Sequence, residues 1–207
     1  MSEADGPKRR KTIVRLTRIL ARIFLSPFFR IRTSGLENLP KHRAFILLPK
    51  HQRWEDIPLL SIATPRYLYY IAKHELFVNP VLGRFLFALG GLPLNRTRPL
   101  ESRQSLKVMV RYLKNGEVIV IFPEGTYFKE RIGAGHMGLI RLVRSRSRFP
   151  FIPVGIKYTK KFVRQHVQIN FGEPIQDDPT IRAEDLLHRI MTEIARLSDL
   201  PELTNDY

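Results

Sequence analysis

The chain of 207 residues contains no cysteine. Without thiols there can be no disulfide framework, no thiolate metal site and no cysteine nucleophile. Long hydrophobic runs are also missing, because no segment reaches the roughly 18 to 20 uninterrupted apolar residues of a membrane-spanning helix. The longest apolar stretch, residues 85 to 94, is broken by two glycines and a proline. The basic amino-terminal region lacks a clean apolar segment followed by a cleavage site, so we expect a protein that is neither transmembrane nor secreted.

Acidic residues are scarce relative to basic ones. The chain has 19 aspartates and glutamates against 35 lysines and arginines, which gives a net charge of +16. Such a chain is expected to meet an anionic partner: nucleic acid, an acidic membrane surface, or a phosphorylated or acidic carrier. A nucleic-acid-binding protein is the least supported of these, because the sequence shows no zinc-finger spacing, RNA-recognition signature or helix-turn-helix.

The first 32 residues form a basic, amphipathic segment. Residues 1 to 11 are polar and end in a run of lysines and arginines, so we expect a disordered basic tail. From residue 12 apolar residues recur at spacings of three and four, which predicts a helix with one apolar face. A basic amphipathic helix or helix pair over 12–32 is typical of a membrane interface; the alternative is that its apolar face packs on the domain. The expected membrane contacts are Arg15, Arg18, Arg22, Phe24, Phe28 and Phe29.

Residues 33 to 207 are predicted to form one domain. Apolar, strand-like runs alternate with helical patterns, and this order predicts an α/β fold with a mostly parallel central sheet flanked by helices. The predicted strands are 44–48, 67–72, 91–95, 117–122, 151–158 and 166–171. The predicted helices are 56–63, 79–89, 101–114, 136–145 and 182–198.

A histidine and an aspartate five residues apart follow the first of these strands. His51 and Asp56 are the residue types that general-base catalysis needs, because an imidazole takes the proton and a carboxylate on its other ring nitrogen fixes the tautomer. The chain would have to bend from the strand end into a helix start to bring the two together. The spacing is weak evidence alone, since Asp56 could serve only as the N-cap of the next helix.

Two further polar segments follow predicted strands. In Phe-Pro-Glu-Gly-Thr, residues 122 to 126, Gly125 can take a positive φ, and Glu124 can hold a ligand hydroxyl or an arginine at the carboxyl edge of the sheet. A simple surface turn is the alternative. The strand over 91–95 delivers Arg96 to the same edge, where its planar guanidinium suits a phosphate. In so basic a chain, however, a single arginine is more often a solvated surface charge.

Several segments occur in the order seen in one enzyme family. They are His51-x-x-x-x-Asp56 and residues 72–77, 80–83, 90–96, 122–126 and 152–154. In this order they resemble the glycerophospholipid acyltransferases, and most of all the 1-acyl-glycerol-3-phosphate acyltransferases. The resemblance covers roughly residues 34 to 175, about two-thirds of the chain. Several motifs that occur in one fixed order are far more specific than a single motif.

The resemblance implies an activity and a set of roles. A fatty acyl group would pass from a thioester, on acyl carrier protein or coenzyme A, to the free hydroxyl of 1-acyl-glycerol-3-phosphate, giving phosphatidate. His51 would be the base, and Asp56 would orient it. Direct attack on the thioester needs no acyl-enzyme and no cofactor, and the histidines show no metal-ligand spacing. The substrate-binding residues implied are Lys73, Arg96, Glu124, Gly125, Thr126 and, on the acyl side, Pro153.

Three departures from the family pattern concern the acceptor. Lys50 stands where the family usually has Asn, Tyr127-Phe128 stands in place of Arg-Ser, and residues 135 to 138 replace a more usual Phe-Lys-x-Gly. An alternative acceptor is therefore glycerol 3-phosphate, another lysophospholipid or an amino-acid lipid. The expected partners are a lipid phosphate acceptor, the acyl carrier protein or coenzyme A thioester and an anionic membrane surface, with no nucleic acid. We expect a peripheral location on the cytoplasmic face of the membrane.

Overall fold

The computed structural model describes residues 9–95, 103–144 and 149–201. Arg96 and most of the predicted basic tail lie outside the described residues. The helices are α1 (Lys11–Leu25), α2 (Asp56–Ala63), α3 (Pro80–Leu89), α4 (Arg103–Lys114), α5 (Met137–Arg144) and α6 (Ala183–Ser198). The strands are β1 (Phe29–Ser34), β2 (Phe45–Pro49), β3 (Leu68–Lys73), β4 (Gly91–Leu94), β5 (Val118–Val120), β6 (Phe151–Lys161) and β7 (Arg164–Phe171). Short 3-10 helices lie at Leu36–Asn38 and His74–Phe77.

Within the described residues the strands form one seven-stranded sheet in the order β1-β7-β6-β2-β5-β3-β4. Strand β2 pairs in parallel with β5 and β6, and β3 pairs in parallel with β4 and β5. Strand β7 runs antiparallel to β6, and β1 is parallel to β7. The predicted α/β fold with a mostly parallel sheet is therefore confirmed. The segments after β2, β3, β4 and β5 all emerge at one edge, the carboxyl edge, where ligand sites of such sheets lie.

Strand β1 differs from the prediction. The sequence grouped residues 29–32 with the amphipathic helix or helix pair, but the helix ends at Leu25, and Phe29–Ser34 is an edge strand of the sheet. Pro27 lies between the two elements and cannot continue a helix. Along the strand Phe29 and Ile31 are half-buried while Arg30 and Arg32 are exposed, which is the period of two expected of a strand. The alternation of apolar and basic residues over 29–32 is therefore that of an edge strand and not a continuation of the helix.

The core lies on both faces of the sheet. All five residues of β2 are buried, as expected of a central strand in a parallel sheet that is covered on both sides. Phe45 and Leu47 belong to the cluster that packs with α2, whereas Ile46 and Leu48 belong to the one that packs with α4, α5 and α6. Strand β2 is thereby fixed rigidly, and the loop that follows it at the carboxyl edge starts from a rigid base.

Helix α3 is defined by its end residues. The side chain of Asn79 accepts hydrogen bonds from the backbone N–H groups of Val81 and Leu82, Pro80 is the first helical residue, and Gly90 ends the helix with φ of 95°. Each is the residue type that its position favours. The helix nevertheless leaves Val81 and Phe85 exposed to solvent. In the described residues no helix is both long and apolar enough to span a bilayer.

Candidate active site

The histidine and aspartate of the first motif meet at the carboxyl edge of β2. The loop of residues 50–55 turns directly into α2, which brings Nδ1 of His51 to 3.1 Å from Oδ2 of Asp56. Asp56 is completely buried, and His51 is 8% exposed. Because a carboxylate only accepts hydrogen bonds, Nδ1 carries the proton, and Nε2 is left as the basic nitrogen. Within the described part of the chain Nε2 has no hydrogen-bond partner, so it is available to a substrate hydroxyl.

Asp56 is held by more than the histidine. Its Oδ2 atom also accepts hydrogen bonds from the backbone N–H groups of Gln52 at 2.6 Å and Arg53 at 2.8 Å. These donors precede Asp56, so its side chain folds back on the loop instead of capping α2. The other oxygen, Oδ1, accepts a hydrogen bond of 2.5 Å from the hydroxyl of Tyr158 on β6. The carboxylate is therefore fixed in one orientation toward the imidazole.

Tyr158 is a site residue that sequence reasoning missed. Burial and then the negative charge of Asp56 raise the pKa of its hydroxyl far above the ordinary tyrosine value, so the hydroxyl remains a donor. The guanidinium carbon of Arg53 lies 4.4 Å from the centroid of its ring. The ring of Phe29 meets it edge-on, with the two centroids 6.5 Å apart. No short motif could have shown this contact, because Tyr158 and Asp56 are 102 residues apart in the chain.

Two aromatic rings set the plane of the imidazole. Phe122 stacks on His51 with ring centroids 3.7 Å apart, and Tyr127 meets it edge-on at 4.4 Å. Tyr127 is half exposed and stands at the mouth of the site. Burial and the negative charge of Asp56 raise the pKa of its hydroxyl, so Tyr127 is a neutral group in the position where the family pattern has an arginine.

Glu124 has a different role from the one the sequence suggested. We expected it to touch the acceptor, but its side chain is completely buried and faces Lys50, whose Nζ lies 2.7 Å from both carboxylate oxygens. Glu124 also accepts hydrogen bonds from the backbone N–H groups of His51 at 2.9 Å and Gly133 at 2.7 Å. The carboxylate therefore ties the histidine loop to the loop after β5. A substrate hydroxyl would have to displace one of these partners.

Lys50 completes this buried pair. Its ammonium also donates to the backbone oxygen of Phe128 at 2.7 Å. Burial lowers the pKa of Lys50, and the charge of Glu124 works against that shift. Lys50 departs from the family pattern, and its side chain lies against Glu124 and not at the substrate side of the site.

The remaining predicted binding residues lie in different places. Gly125 and Thr126 lie at the surface of the carboxyl edge, where Gly125 takes the positive φ, 69°, that its turn requires. Lys73 is the last residue of β3 and is exposed at the same edge. Pro153 was expected to shape the acyl pocket, but it is buried within β6 opposite Leu48. Its place inside the sheet keeps it out of the apolar cavity beside the histidine loop.

An apolar cavity of about 350 Å³ begins beside the histidine loop. Trp54, three residues after His51, lines it together with residues of α2, β3 and α3. One side of α1, here called its inner face, forms another wall and consists of Val14, Thr17, Arg18 and Ala21. Cavities of this size hold small ligands, and an apolar lining favours a hydrocarbon.

The opposite side of α1 is apolar and exposed. This outer face consists of Leu16, Ile19, Leu20, Ile23 and Phe24. The alternative that the apolar face packs on the domain is therefore wrong, because the contacts with the domain are made by the inner face. Of the predicted membrane contacts, Arg15, Arg22, Phe24 and Phe28 are exposed.

Arg18 and Phe29 do not face outward. The guanidinium of Arg18 donates to the backbone oxygen of Thr64 and lies over the ring of Tyr67. Phe29 packs against Tyr158. Both are fixed to the domain because the inner face of α1 and the start of β1 lie on it, so neither is placed to contact a membrane.

Comparisons with known proteins agree with this geometry. The model of the Acyltransferase family matches residues 30–157, a span that contains the His51 and Glu124 segments. A solved structure, the 1-acyl-sn-glycerophosphate acyltransferase from Thermotoga maritima, superposes with a TM-score of 0.73 and 25% identity over 91% of this chain and 79% of that one. The fold is therefore shared over nearly the whole molecule.

Sequence relatives carry similar names. The chloroplastic 1-acyl-sn-glycerol-3-phosphate acyltransferase LPAT1 of Arabidopsis thaliana is 29% identical over 206 residues, 94% of this chain and 56% of that protein. The 1-acyl-sn-glycerol-3-phosphate acyltransferase of Bacillus subtilis is 28% identical over 159 residues, 74% of this chain and 78% of that protein. This chain thus spans little more than half the length of the plant relative.

Proposed function

Because the chain belongs to the acyltransferase family, we propose that it transfers a fatty acyl group from a thioester to the free hydroxyl of 1-acyl-glycerol-3-phosphate. The observation that carries the proposal is the buried pair of His51 and Asp56 beside an apolar cavity. A base next to an acyl-sized cavity is what direct acyl transfer to a hydroxyl requires. The names of the relatives, which specify this acceptor, support the choice of substrate.

The proposed reaction uses the imidazole twice. Nε2 of His51 removes the proton of the acceptor hydroxyl as its oxygen attacks the thioester carbonyl, which gives a tetrahedral oxyanion. Collapse breaks the C–S bond, and the thiolate leaves and takes the proton from the imidazolium. Asp56 stabilises that imidazolium and keeps Nδ1 protonated throughout. The products are the ester and the free thiol, with no acyl-enzyme and no cofactor.

The apolar cavity is the proposed site of the donor's acyl chain. Its lining by α1, α2, β3 and α3 is almost free of polar groups, the exceptions including Thr17, Arg18 and Ser61. Each buried methylene contributes about 0.8 kcal/mol, so a chain of several carbons placed there would be held firmly. The carrier, coenzyme A or acyl carrier protein, would stay outside the cavity.

The acceptor phosphate is proposed to bind at the carboxyl edge. Lys73, the exposed last residue of β3, would bind the phosphate. The family pattern assigns the same role to Arg96, which follows β4 in the sequence. Gly125 and Thr126 form the exposed rim on the other side of the site. Bound in this way, the acceptor would place its phosphate at Lys73 and its hydroxyl at Nε2 of His51.

We place the protein at an anionic membrane surface on the cytoplasmic side. The exposed outer face of α1, with Arg15 and Arg22 at its border, supports this location. A basic amphipathic helix binds such an interface by burying its apolar face and by the attraction of its cations to anionic lipids. The exposed Val81 and Phe85 of α3 would add to the same contact. The acceptor is itself a lipid, so its hydroxyl would be presented from the bilayer.

A panel of acceptors, with the product identified by mass, tests the proposal. Transfer to 1-acyl-glycerol-3-phosphate is expected to exceed transfer to glycerol 3-phosphate and to uncharged lysolipids. His51→Ala is expected to lose about a hundredfold to ten-thousandfold in kcat without loss of fold, because a general base contributes about 10² to 10⁴. Near-normal turnover by His51→Ala would remove the assigned base.

One observation favours a second acceptor. Tyr127 presents a neutral hydroxyl beside His51, where the family pattern has an arginine. A site with one fixed cation fewer is expected to discriminate less strongly for a phosphate. If the panel shows a lysophospholipid with a larger headgroup, or an amino-acid lipid, as the preferred acceptor, the chemistry above holds and the acceptor changes.

A further inference from the structure

The hairpin that joins β6 and β7 has an unusual tip. Phe162 and Val163 form its two-residue turn, and they are 98% and 96% exposed. Phe162 also takes φ of 50°, the left-handed region that Asn and Gly occupy with less strain in hairpin turns. An aromatic residue in that position stabilises neither the turn nor the core. An outlier of this kind points to a function outside the fold.

The hairpin carries charge of one sign. Between residues 157 and 171 the sequence has four lysines and arginines and neither aspartate nor glutamate. Lys160 and Arg164 flank the apolar tip and are exposed. Lys157, farther down, is paired with Asp199, so the unbalanced charge is concentrated near the tip. An apolar tip within a basic collar complements the interface of an anionic bilayer, whose surface attracts lysine and arginine.

The tip lies close to the end of α1 and to the histidine loop. The backbone N–H of Gln165 donates to the backbone oxygen of Phe28 at 2.8 Å, and Arg53 donates to the side chain of Gln165 at 2.8 Å. Gln165 is two residues from Val163, about 7 Å along a strand. The exposed Phe28 and the tip are therefore neighbours at the carboxyl edge of the sheet, where His51 also lies.

We infer that the β6–β7 hairpin is a second membrane-insertion element, whose tip enters an anionic lipid bilayer beside the outer face of α1. Two adjoining contacts, one from a helix and one from a hairpin, fix the orientation of the protein on the surface, which a single helix does not. Through Gln165 and Arg53 the hairpin also links that orientation to the loop that holds His51. The inference deepens the proposed function and rests on its membrane location. Two fully exposed apolar side chains favour a bilayer over an acidic carrier protein, which the basic collar alone would also suit.

The test removes the apolar tip without changing charge or turn geometry. In this turn Phe162 has a positive φ and Val163 does not, so Phe162→Gly together with Val163→Ser places glycine where the turn needs it, and the hairpin is expected to stay folded. Partition into vesicles of phosphatidylglycerol and phosphatidylcholine should fall about tenfold. Activity on a short-chain, water-soluble acceptor should be unchanged. Leu36→Asn, an exposed apolar position at the far end of β1, is the matched control and should partition like the unaltered protein.

Unchanged partition of the Gly-Ser variant would overturn the inference. If partition is unchanged but the KM for an acyl carrier protein donor rises, the tip binds the carrier, and the bilayer assignment is wrong. In a second measurement, Phe162→Trp in a Trp54→Phe background should show an emission shift to the blue and quenching by brominated lipids; unshifted emission contradicts insertion. Partition requires no turnover, so a failure of the proposed reaction would show only in the acyl-transfer assay.

Discussion

At the scale of single residues, the contact that most affects the base is the hydroxyl of Tyr158 on Asp56. In Tyr158→Phe the carboxylate loses a donor and attracts the imidazolium proton more strongly. The acidic limb of the pH profile of kcat/KM is therefore expected to move to higher pH, and the plateau of kcat to fall about tenfold, since a hydrogen bond to a charged group contributes about 1.5–3 kcal/mol. Phe29→Leu, which alters packing on the same ring but keeps the hydroxyl, should leave the limb in place. If the acidic limb of the pH profile does not move in Tyr158→Phe, Tyr158 contributes only packing.

For the buried pair of Lys50 and Glu124, we expect removal of the glutamate's charge to destabilise the protein more than removal of the lysine's charge. Glu124→Gln leaves an ammonium buried without its counter-charge and is expected to cost about 3–5 kcal/mol. Lys50→Met should cost less, because the remaining carboxylate still accepts from the N–H groups of His51 and Gly133. Urea unfolding at constant m-value measures both, with the exposed Lys129→Met as the control. Equal midpoints for the two variants would contradict the assigned partners.

At the scale of elements, sequence patterns located the strands and helices of the described sheet to within a few residues, apart from β1, because each element carries its own periodicity. They did not reveal how distant elements meet. Lys50 and Glu124 are 74 residues apart, and Tyr158 and Asp56 are 102 apart. Such contacts depend on strand order, and no local pattern encodes it. The His51–Asp56 pair was within reach of sequence reasoning because one loop connects both residues.

Helix α1 is proposed to line the acyl cavity with its inner face and to contact the membrane with its outer face. A substitution on each face separates these two roles. Ala21 lies on the inner face and lines the apolar cavity, so Ala21→Phe should fill part of the space and lower kcat/KM for long acyl donors more than for short ones. The expected loss is about 0.8 kcal/mol, or about fourfold, for each methylene displaced. Leu20→Phe adds a ring to the outer face and should leave the chain-length profile unchanged. If the dependence of kcat/KM on acyl chain length changed equally in both variants, the donor chain would have to bind elsewhere.

At the scale of the whole molecule, the groups proposed to meet substrate and membrane lie on one side. Strand β1 runs opposite to β2, so its start at Phe29 lies at the edge where β2 ends. This reversal brings the end of α1, the β6–β7 hairpin and the histidine loop together. The opposite end of β1 leads to Leu36, away from the site. The orientation of the protein on a bilayer would thus be set by topology as well as by charge.

The titration of buried groups predicts how the stability of the whole molecule depends on alkaline pH. Burial raises the pKa of Tyr112 from 10.0 to about 12, and the pKa values of Tyr69, Tyr70 and Tyr158 are also raised. Above pH 10 the unfolded chain therefore loses tyrosine protons that the native state retains, so the stability supplied by these groups falls as pH rises. Lys50 acts oppositely, because its native pKa is lowered, but its effect ends near its unfolded value of 10.5. We expect the free energy of unfolding to decline steadily from about pH 10.5 to 12, and the decline to be less steep in Tyr112→Phe. A flat profile over that interval, or an equal slope in Tyr112→Phe, would show that the Tyr69–Tyr112 stack titrates as it does in the unfolded chain.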